Sequence, residues 1–186
     1  MVADVAKDVA SALEEISLIS PLAVARDRKT SFTSASSIVN ALEQFQECVR
    51  YLNTRRSKGA IININGEDDL QDVLFLMLRL WIPDLVPENP IDRIASRFVI
   101  KDFLSKELGT VVEAKLIRDK KHGKEITKEL HDDIEMYKNH PDCYEIVFFI
   151  YDPASLIPDI GSLRRQIEGA RKYDGRSLHV HCIVKP

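Results

Sequence analysis

The stretch from residue 102 to residue 115 constrains the fold of this chain more than any other part of its sequence. It reads DFLSKELGTVVEAK, in which two short apolar steps flank the run Lys106-Glu107-Leu108-Gly109. Gly109 can adopt the positive φ that many tight turns require. The pattern therefore predicts a β-hairpin whose turn is centred near Glu107 and Leu108.

A hairpin with this turn brings two carboxylates together. Asp102 lies across from Glu113, and cross-strand neighbours have Cβ atoms about 4.5–5.5 Å apart. Side chains alternate along a strand, so Lys115 points to the same face as Glu113. Two carboxylates this close repel each other unless a cation separates them or one is protonated. The hairpin is therefore a candidate Mg²⁺ site, in which Lys115 would hold or polarise a metal-bound water. A solvated ion pair of Glu113 and Lys115 is the alternative interpretation.

A helix is predicted from Glu67 to about Trp81, with a wide apolar stripe along one side. Three acids, Glu67, Asp68 and Asp69, occupy its first turn, where they favour the positive end of the helix dipole. That preference is sufficient to explain an acid at position 67 without a functional role. The functional interpretation is that the helix packs beside the hairpin and that Glu67 adds a carboxylate to the metal site.

Basic residues follow the strand that carries Lys115. Arg118, Lys120, Lys121 and Lys124 are predicted on a mobile loop, where they would either be solvated or contact the backbone of a polyanion.

The remaining elements predict an α/β fold. Helices are expected over residues 3–19, 35–52, 124–139 and 161–172, and strands over residues 144–151 and 177–184. The first of these strands is almost continuously apolar, as strands buried on both faces are. The order indicates a mixed sheet flanked by helices on both faces. Residues 1–60 are predicted to form a helical extension for dimerisation or partner binding, and residues 61–186 the main domain. His179 and His181 share one strand face and could bind a metal, but no third ligand is expected nearby, so exposed surface is the favoured interpretation.

Composition excludes several classes of protein. The chain is 45% hydrophobic and 30% charged, which excludes global disorder, and its net charge of −3 argues against a dedicated basic coat for nucleic acid. The three cysteines are scattered and fit a reducing compartment. No apolar run approaches the roughly 18 residues of a membrane-spanning helix, and the N-terminus does not read as a signal peptide. A cytoplasmic protein without membrane contact is expected.

The ordered pattern of these segments resembles the PD-(D/E)xK nuclease superfamily, in the branch around the GATC-cutting type II restriction endonucleases. The resemblance covers about residues 65–186. The segments that carry it are Asp102-Phe103-Leu104, Glu113-Ala114-Lys115, Asp133-Ile134 with Tyr137, His140-Pro141-Asp142-Cys143, Phe149-Ile150-Tyr151-Asp152-Pro153, and the ending from Val180 to Pro186.

The resemblance implies a restriction-endonuclease-like sheet and Mg²⁺-dependent hydrolysis of phosphodiester bonds, usually in DNA, with Mn²⁺ able to substitute. Asp102 and Glu113 would ligate the metal, together with the backbone carbonyl of Ala114. Glu67 matches the helix acid that often joins them.

The same resemblance also implies roles for other residues. Lys115 would orient the attacking water and offset charge in the transition state, so Lys115→Ala is expected to abolish cleavage and leave the fold largely intact. Asp133 and Tyr137 would support the site or simply pack in the core. Two positions depart from the family pattern, because Lys101 replaces a proline and Glu129 stands where a glutamine is expected.

Three functions stay open at this point. The first is a DNA endonuclease in restriction or anti-phage defence, acting as a homodimer or within a larger complex. The second is a catalytically silent binding or assembly module on the same fold, and the third is a member that cuts RNA. Cleavage at GATC is not predicted, because the target-reading parts of that branch lie outside the matched core.

Overall fold

A six-stranded mixed sheet forms the centre of the fold, in the strand order β1-β2-β3-β4-β6-β5. The computed structural model describes residues 34–54, 62–87, 102–173 and 175–186. The helices are α1 (Ala35–Glu43), α2 (Phe45–Thr54), α3 (Glu67–Arg79), α4 (Lys120–Tyr137) and α5 (Ile160–Ile167). The strands are β1 (Val86–Pro87), β2 (Phe103–Ser105), β3 (Thr110–Leu116), β4 (Glu145–Tyr151), β5 (Gly169–Tyr173) and β6 (Arg176–Lys185).

The predicted hairpin is confirmed by strands β2 and β3. They pair antiparallel with Phe103 opposite Val112 and Ser105 opposite Thr110, so the position of Asp102 continues the ladder opposite Glu113. Gly109 closes the turn with a φ of 59°, where a Cβ atom would also lie 2.7 Å from the ring of Tyr144. Both its backbone and its surroundings therefore require glycine at this position.

Strand β4 is buried on both faces of the sheet, as the sequence predicts. It runs parallel to both β3 and β6, and its residues from Ile146 to Ile150 are fully buried. Ile146, Phe148 and Ile150 pack in the same hydrophobic cluster as residues of α4 and α5. Val147 and Phe149 pack in a second cluster with residues of α1 and α3. The continuous apolar run of β4 thus contributes side chains to both hydrophobic clusters.

The described N-terminal helices pack against this sheet. Ala35, Ile38 and Leu42 of α1 belong to the same buried cluster as β4, and Phe45 of α2 joins them, with its ring centroid 4.8 Å from that of Phe149. The single helix predicted over residues 35–52 is divided at Gln44. The helix predicted over residues 3–19 lies outside the described residues, and a domain boundary near residue 60 stays a prediction.

Two predictions about local structure are wrong. The helix predicted over residues 161–172 ends at Ile167, because Glu168 is extended and Gly169 has a φ of 119°. Residues from Gly169 onward instead form β5, which pairs antiparallel with β6.

The second error is the mobile loop predicted after β3. Helix α4 already begins at Lys120, because the carboxylate of Asp119 accepts a hydrogen bond of 2.8 Å from the backbone N–H of His122 and so caps the helix. Lys120, Lys121 and Lys124 therefore lie on a regular helix. None of the helices in the described ranges is both long and apolar enough to cross a membrane.

Candidate active site

Asp102 and Glu113 are both buried where the hairpin meets helices α3 and α4. Asp102 accepts hydrogen bonds from the backbone N–H of Ala114 and, at 2.7 Å, from Nε2 of Gln71. Oε1 of Glu113 accepts a hydrogen bond from the hydroxyl of Tyr137. Within the described part of the chain, Oε2 of Glu113 accepts no hydrogen bond. The site therefore contains a buried carboxylate oxygen available to a further ligand.

Lys115 neutralises part of this negative charge. Its Nζ lies 2.9 Å from Oδ2 of Asp133 and 3.6 Å from Oε2 of Glu113, and the residue is only 7% exposed. Asp133 and Tyr137 are one helical turn apart on α4, so both reach the hairpin from the same side. The structure thus brings together the Asp102, Glu113 and Lys115 predicted from the sequence with the two predicted supporting residues.

Helix α3 contributes two side chains to this site from its N-terminal end. Glu67 is its first residue, and Oε2 of Glu67 accepts a hydrogen bond of 3.3 Å from the backbone N–H of Leu116. Gln71, one turn later, donates the hydrogen bond to Asp102 described above. Sequence reasoning missed Gln71, although its spacing of four residues from Glu67 places both side chains on one helix face. We refer to Glu67, Asp102, Glu113, Lys115, Asp133 and Tyr137 as the carboxylate site.

Burial controls the protonation of this site. Burial raises the pKa of Asp102 to about 7, against the hydrogen bond from Ala114 and the charge of Lys115. Burial and the charge of Asp102 raise the pKa of Glu113 to about 8. For Lys115, burial opposes the charged form, but Glu113 and Asp133 outweigh it and raise its pKa above the ordinary value. The lysine is therefore held charged, while the two hairpin carboxylates take up protons unless another cation compensates them.

The predicted basic residues lie outside the carboxylate site. Arg118, Lys120, Lys121 and Lys124 are exposed, and they follow β3 into the first turns of α4. Glu129, the departure from the family pattern, also lies elsewhere, with its Oε2 3.4 Å from Nε2 of His122.

The prediction that His179 and His181 lack a third ligand is wrong. Glu145 lies beside them, because β4 and β6 pair in parallel with Glu145 opposite His179. These partners are 34 residues apart in sequence, so only the sheet brings them together. We refer to Glu145, His179 and His181 as the histidine cluster.

A mixed sheet flanked by helices, with an aspartate and a Glu-x-Lys motif facing each other on a hairpin, defines the PD-(D/E)xK class of nucleases. A sequence model of one family in this class, described as REase_DpnII-MboI, matches residues 36–185. The chain belongs to this DpnII-MboI restriction endonuclease family, a GATC-cutting type II group, and is therefore a nuclease that cuts DNA. Type II restriction endonucleases generally use divalent metals. No curated protein and no solved structure gives a significant match to the chain.

Proposed function

We propose that this protein is a Mg²⁺-dependent endonuclease that hydrolyses phosphodiester bonds of DNA at the carboxylate site. The observation that carries the proposal is the meeting of Asp102 and Glu113 in a buried site with Lys115, where Oε2 of Glu113 accepts no hydrogen bond from the described residues. Buried acids need compensating positive charge because each charge loses its hydration, and Lys115 supplies only one such charge.

The donor set fits a hard divalent ion. Asp102, Glu113 and Glu67 offer carboxylate oxygens, and Ala114 lies between the two motif residues and offers its carbonyl oxygen. Mg²⁺ prefers oxygen ligands, and Mn²⁺ suits the same donors. The raised pKa of Asp102 and of Glu113 supports this assignment, because a cation relieves the same repulsion that a proton otherwise relieves. When bound, such a metal activates water and stabilises charge on the phosphate.

Lys115 acts as a donor in this proposal. Because Asp133 and Glu113 keep it charged, its ammonium orients the attacking water and offsets negative charge that builds on the phosphate. A fixed donor in a site with little water is more effective than the same group in solution. Asp133 positions the ammonium, and the hydroxyl of Tyr137 positions Glu113.

DNA contacts are proposed on the exposed residues that lead from β3 into α4. Arg118, Lys120, Lys121 and Lys124 would bind phosphates along the backbone, where lysine and arginine give affinity without reading sequence. The N-terminal end of a helix also favours anions.

The proposal also covers the oligomeric state of the protein and its biological role. Cutting both strands of a duplex is simplest with two copies of the site, so a homodimer or a larger complex is proposed, with residues 1–60 as the extension that mediates it. Sedimentation with and without DNA measures this. A role in restriction or anti-phage defence and a place in the cytoplasm complete the proposal, and the three free cysteines fit a reducing compartment.

Cleavage of supercoiled plasmid, short duplexes with and without GATC, and single-stranded RNA tests the function in Mg²⁺, Mn²⁺ or EDTA. Asp102→Asn removes a proposed ligand, and Asp132→Asn is the matched control because Asp132 is exposed on α4. We expect metal-dependent DNA cutting by the wild type and the control, with loss of at least about 100-fold in Asp102→Asn. Equal cutting by Asp102→Asn would contradict the assignment of the site. Cutting of RNA alone, or metal uptake without cutting, would contradict the proposed substrate or activity.

A further inference from the structure

The histidine cluster lies apart from the carboxylate site. In the ladder between β3 and β4, Glu145 pairs with Thr110, three residues before Glu113. Glu113 faces α4, since it contacts Tyr137. The histidine cluster shares the opposite face with Val147 and Ile183, which pack with α1 and α3. Glu113 and the histidine cluster therefore lie on different faces of the sheet and three residues apart along the strands.

The geometry points to a second metal site, and we propose that Glu145, His179 and His181 bind a divalent transition metal ion, with Zn²⁺ the best match. One ligand atom from each residue lies within 4.8 Å of the others. In a tetrahedral zinc site, bonds of about 2.0–2.2 Å place the ligand atoms about 3.4 Å apart. Small side-chain rotations close this difference.

The sheet arranges the three ligands without strain. Strands β4 and β6 run parallel, with Glu145 opposite His179 and Val147 opposite His181, so alternation places all three ligands on one face. The next strand outward presents the small side chain of Ala170 opposite His179, which leaves room beside the imidazole. Both strands are central in the sheet, so the backbone that carries the ligands is fixed.

The side chains are already close to one another. Nε2 of His181 lies 2.8 Å from Oε2 of Glu145, and the ring centroids of His179 and His181 are 4.5 Å apart. His179 is exposed, and the other two residues are half-buried. An ion can therefore reach the cluster from solvent, and a fourth position stays open for water or another ligand.

Ligand chemistry separates this site from the carboxylate site. Imidazole nitrogen suits zinc, copper and nickel, whereas a site built only of oxygens suits magnesium and manganese. Two imidazoles with one carboxylate form a donor set found at zinc sites with an open position. The bound ion would connect β4 to β6 and stabilise the folded state, because it binds that state in preference to the unfolded chain.

Zinc titration against a competing chelator tests the proposal on the full chain. The variant Cys48→Ser takes the place of the wild type in this experiment and is the parent of every other variant, since the exposed thiol of Cys48 would otherwise bind zinc. His179→Gln changes an exposed residue and should fold, and Glu145→Gln tests the carboxylate. His131→Ala on α4 is the control for loss of a histidine, and Asp102→Asn separates the two sites.

We expect one equivalent of tight Zn²⁺ uptake in the wild type, His131→Ala and Asp102→Asn. Uptake should weaken at least about 10–100-fold in His179→Gln and Glu145→Gln. At a hundredfold excess of free zinc over Kd, Tm should rise by about 5–10 °C, and this rise should disappear in the two ligand variants. Unchanged affinity in His179→Gln, or loss of uptake in Asp102→Asn, would overturn the proposal. So would the absence of tight uptake by the wild type.

Discussion

The carboxylate site and the histidine cluster both gather ligating side chains on neighbouring strands, but they differ in burial. Glu113 is fully buried and Lys115 almost so, whereas His179 is exposed and Glu145 half-buried. Burial raises the pKa of Glu113 to about 8, so the metal-free site is charged only at a cost in free energy. The depth of a site, more than the number of its ligands, therefore decides how strongly it depends on a bound cation.

The largest expected effect comes from Glu113→Gln, which should change activity and stability in opposite directions. Cleavage should fall by about 1,000-fold or more, because a proposed metal ligand is lost. In EDTA at pH 8 the free energy of unfolding should rise by about 1–3 kcal/mol, because a buried acid is replaced by a neutral amide. Plasmid cleavage and urea unfolding measure the two quantities.

Two matched variants serve as controls for Glu113→Gln. Glu125→Gln, at an exposed position of α4, controls for activity. Glu145→Gln makes the same change in the half-buried histidine cluster, and in EDTA it should alter stability by less than about 1 kcal/mol. Equal stability effects for Glu113→Gln and Glu145→Gln would contradict the role assigned to burial.

Lys115 should show the next largest effect. Lys115→Met should lower cleavage by about 100–1,000-fold, because the proposed donor is removed. Although the sequence predicts that Lys115→Ala leaves the fold largely intact, the ion pair of 2.9 Å with Asp133 changes this expectation. Loss of one partner of a buried pair costs about 3–5 kcal/mol, because the other charge stays buried.

The double variant Lys115→Met/Asp133→Asn separates the two roles of the lysine. It should recover most of the stability below pH 8, where Glu113 is protonated and neither member of the Lys115–Asp133 pair is left alone, while cleavage stays low. Stability and cleavage are measured on the same preparations. Recovery of cleavage in the double variant would show that Lys115 is structural only.

The remaining expected effect is a pH dependence of stability in the metal-free protein. Folding raises the pKa of Asp102 from 3.8 to about 7 and that of Glu113 from 4.5 to about 8, chiefly through burial. Between these values the folded protein holds protons that the unfolded chain has released. The free energy of unfolding should therefore fall as pH rises from about 4 to about 8, at up to about 1.4 kcal/mol per pH unit for each such proton.

Urea unfolding in EDTA from pH 5 to pH 8.5 measures this slope. The variant Asp102→Asn/Glu113→Gln is the control, and the contribution of these two groups should vanish in it. Mg²⁺ should stabilise the wild type more at pH 8 than at pH 6, because metal ligands must be deprotonated. A wild-type slope equal to that of the control would contradict the assigned burial effect.

Local signals explain which elements were predictable. The turn at Gly109 and the alternation along residues 110–116 are set by neighbouring residues, so the hairpin register follows from the sequence. The end of α5 depends on the positive φ of Gly169, and the Asp174-Gly175 dipeptide is the local signal for the hairpin that follows. The start of α4 depends on a single N-cap at Asp119. This cap is hard to recognise in the sequence because it lies within a run of charged residues.

The hairpin, the buried strand β4 and the facing of Asp102, Glu113 and Lys115 follow from local sequence, because they depend on the period-2 alternation of strands and on one turn. The surroundings of these three residues depend instead on long-range packing. Gln71 and Asp133 reach the hairpin through the packing of α3 and α4, and Glu145 reaches His179 through parallel pairing across the sheet. Such contacts join residues far apart in the chain, and burial, which no local pattern encodes, then sets the charge that each group carries.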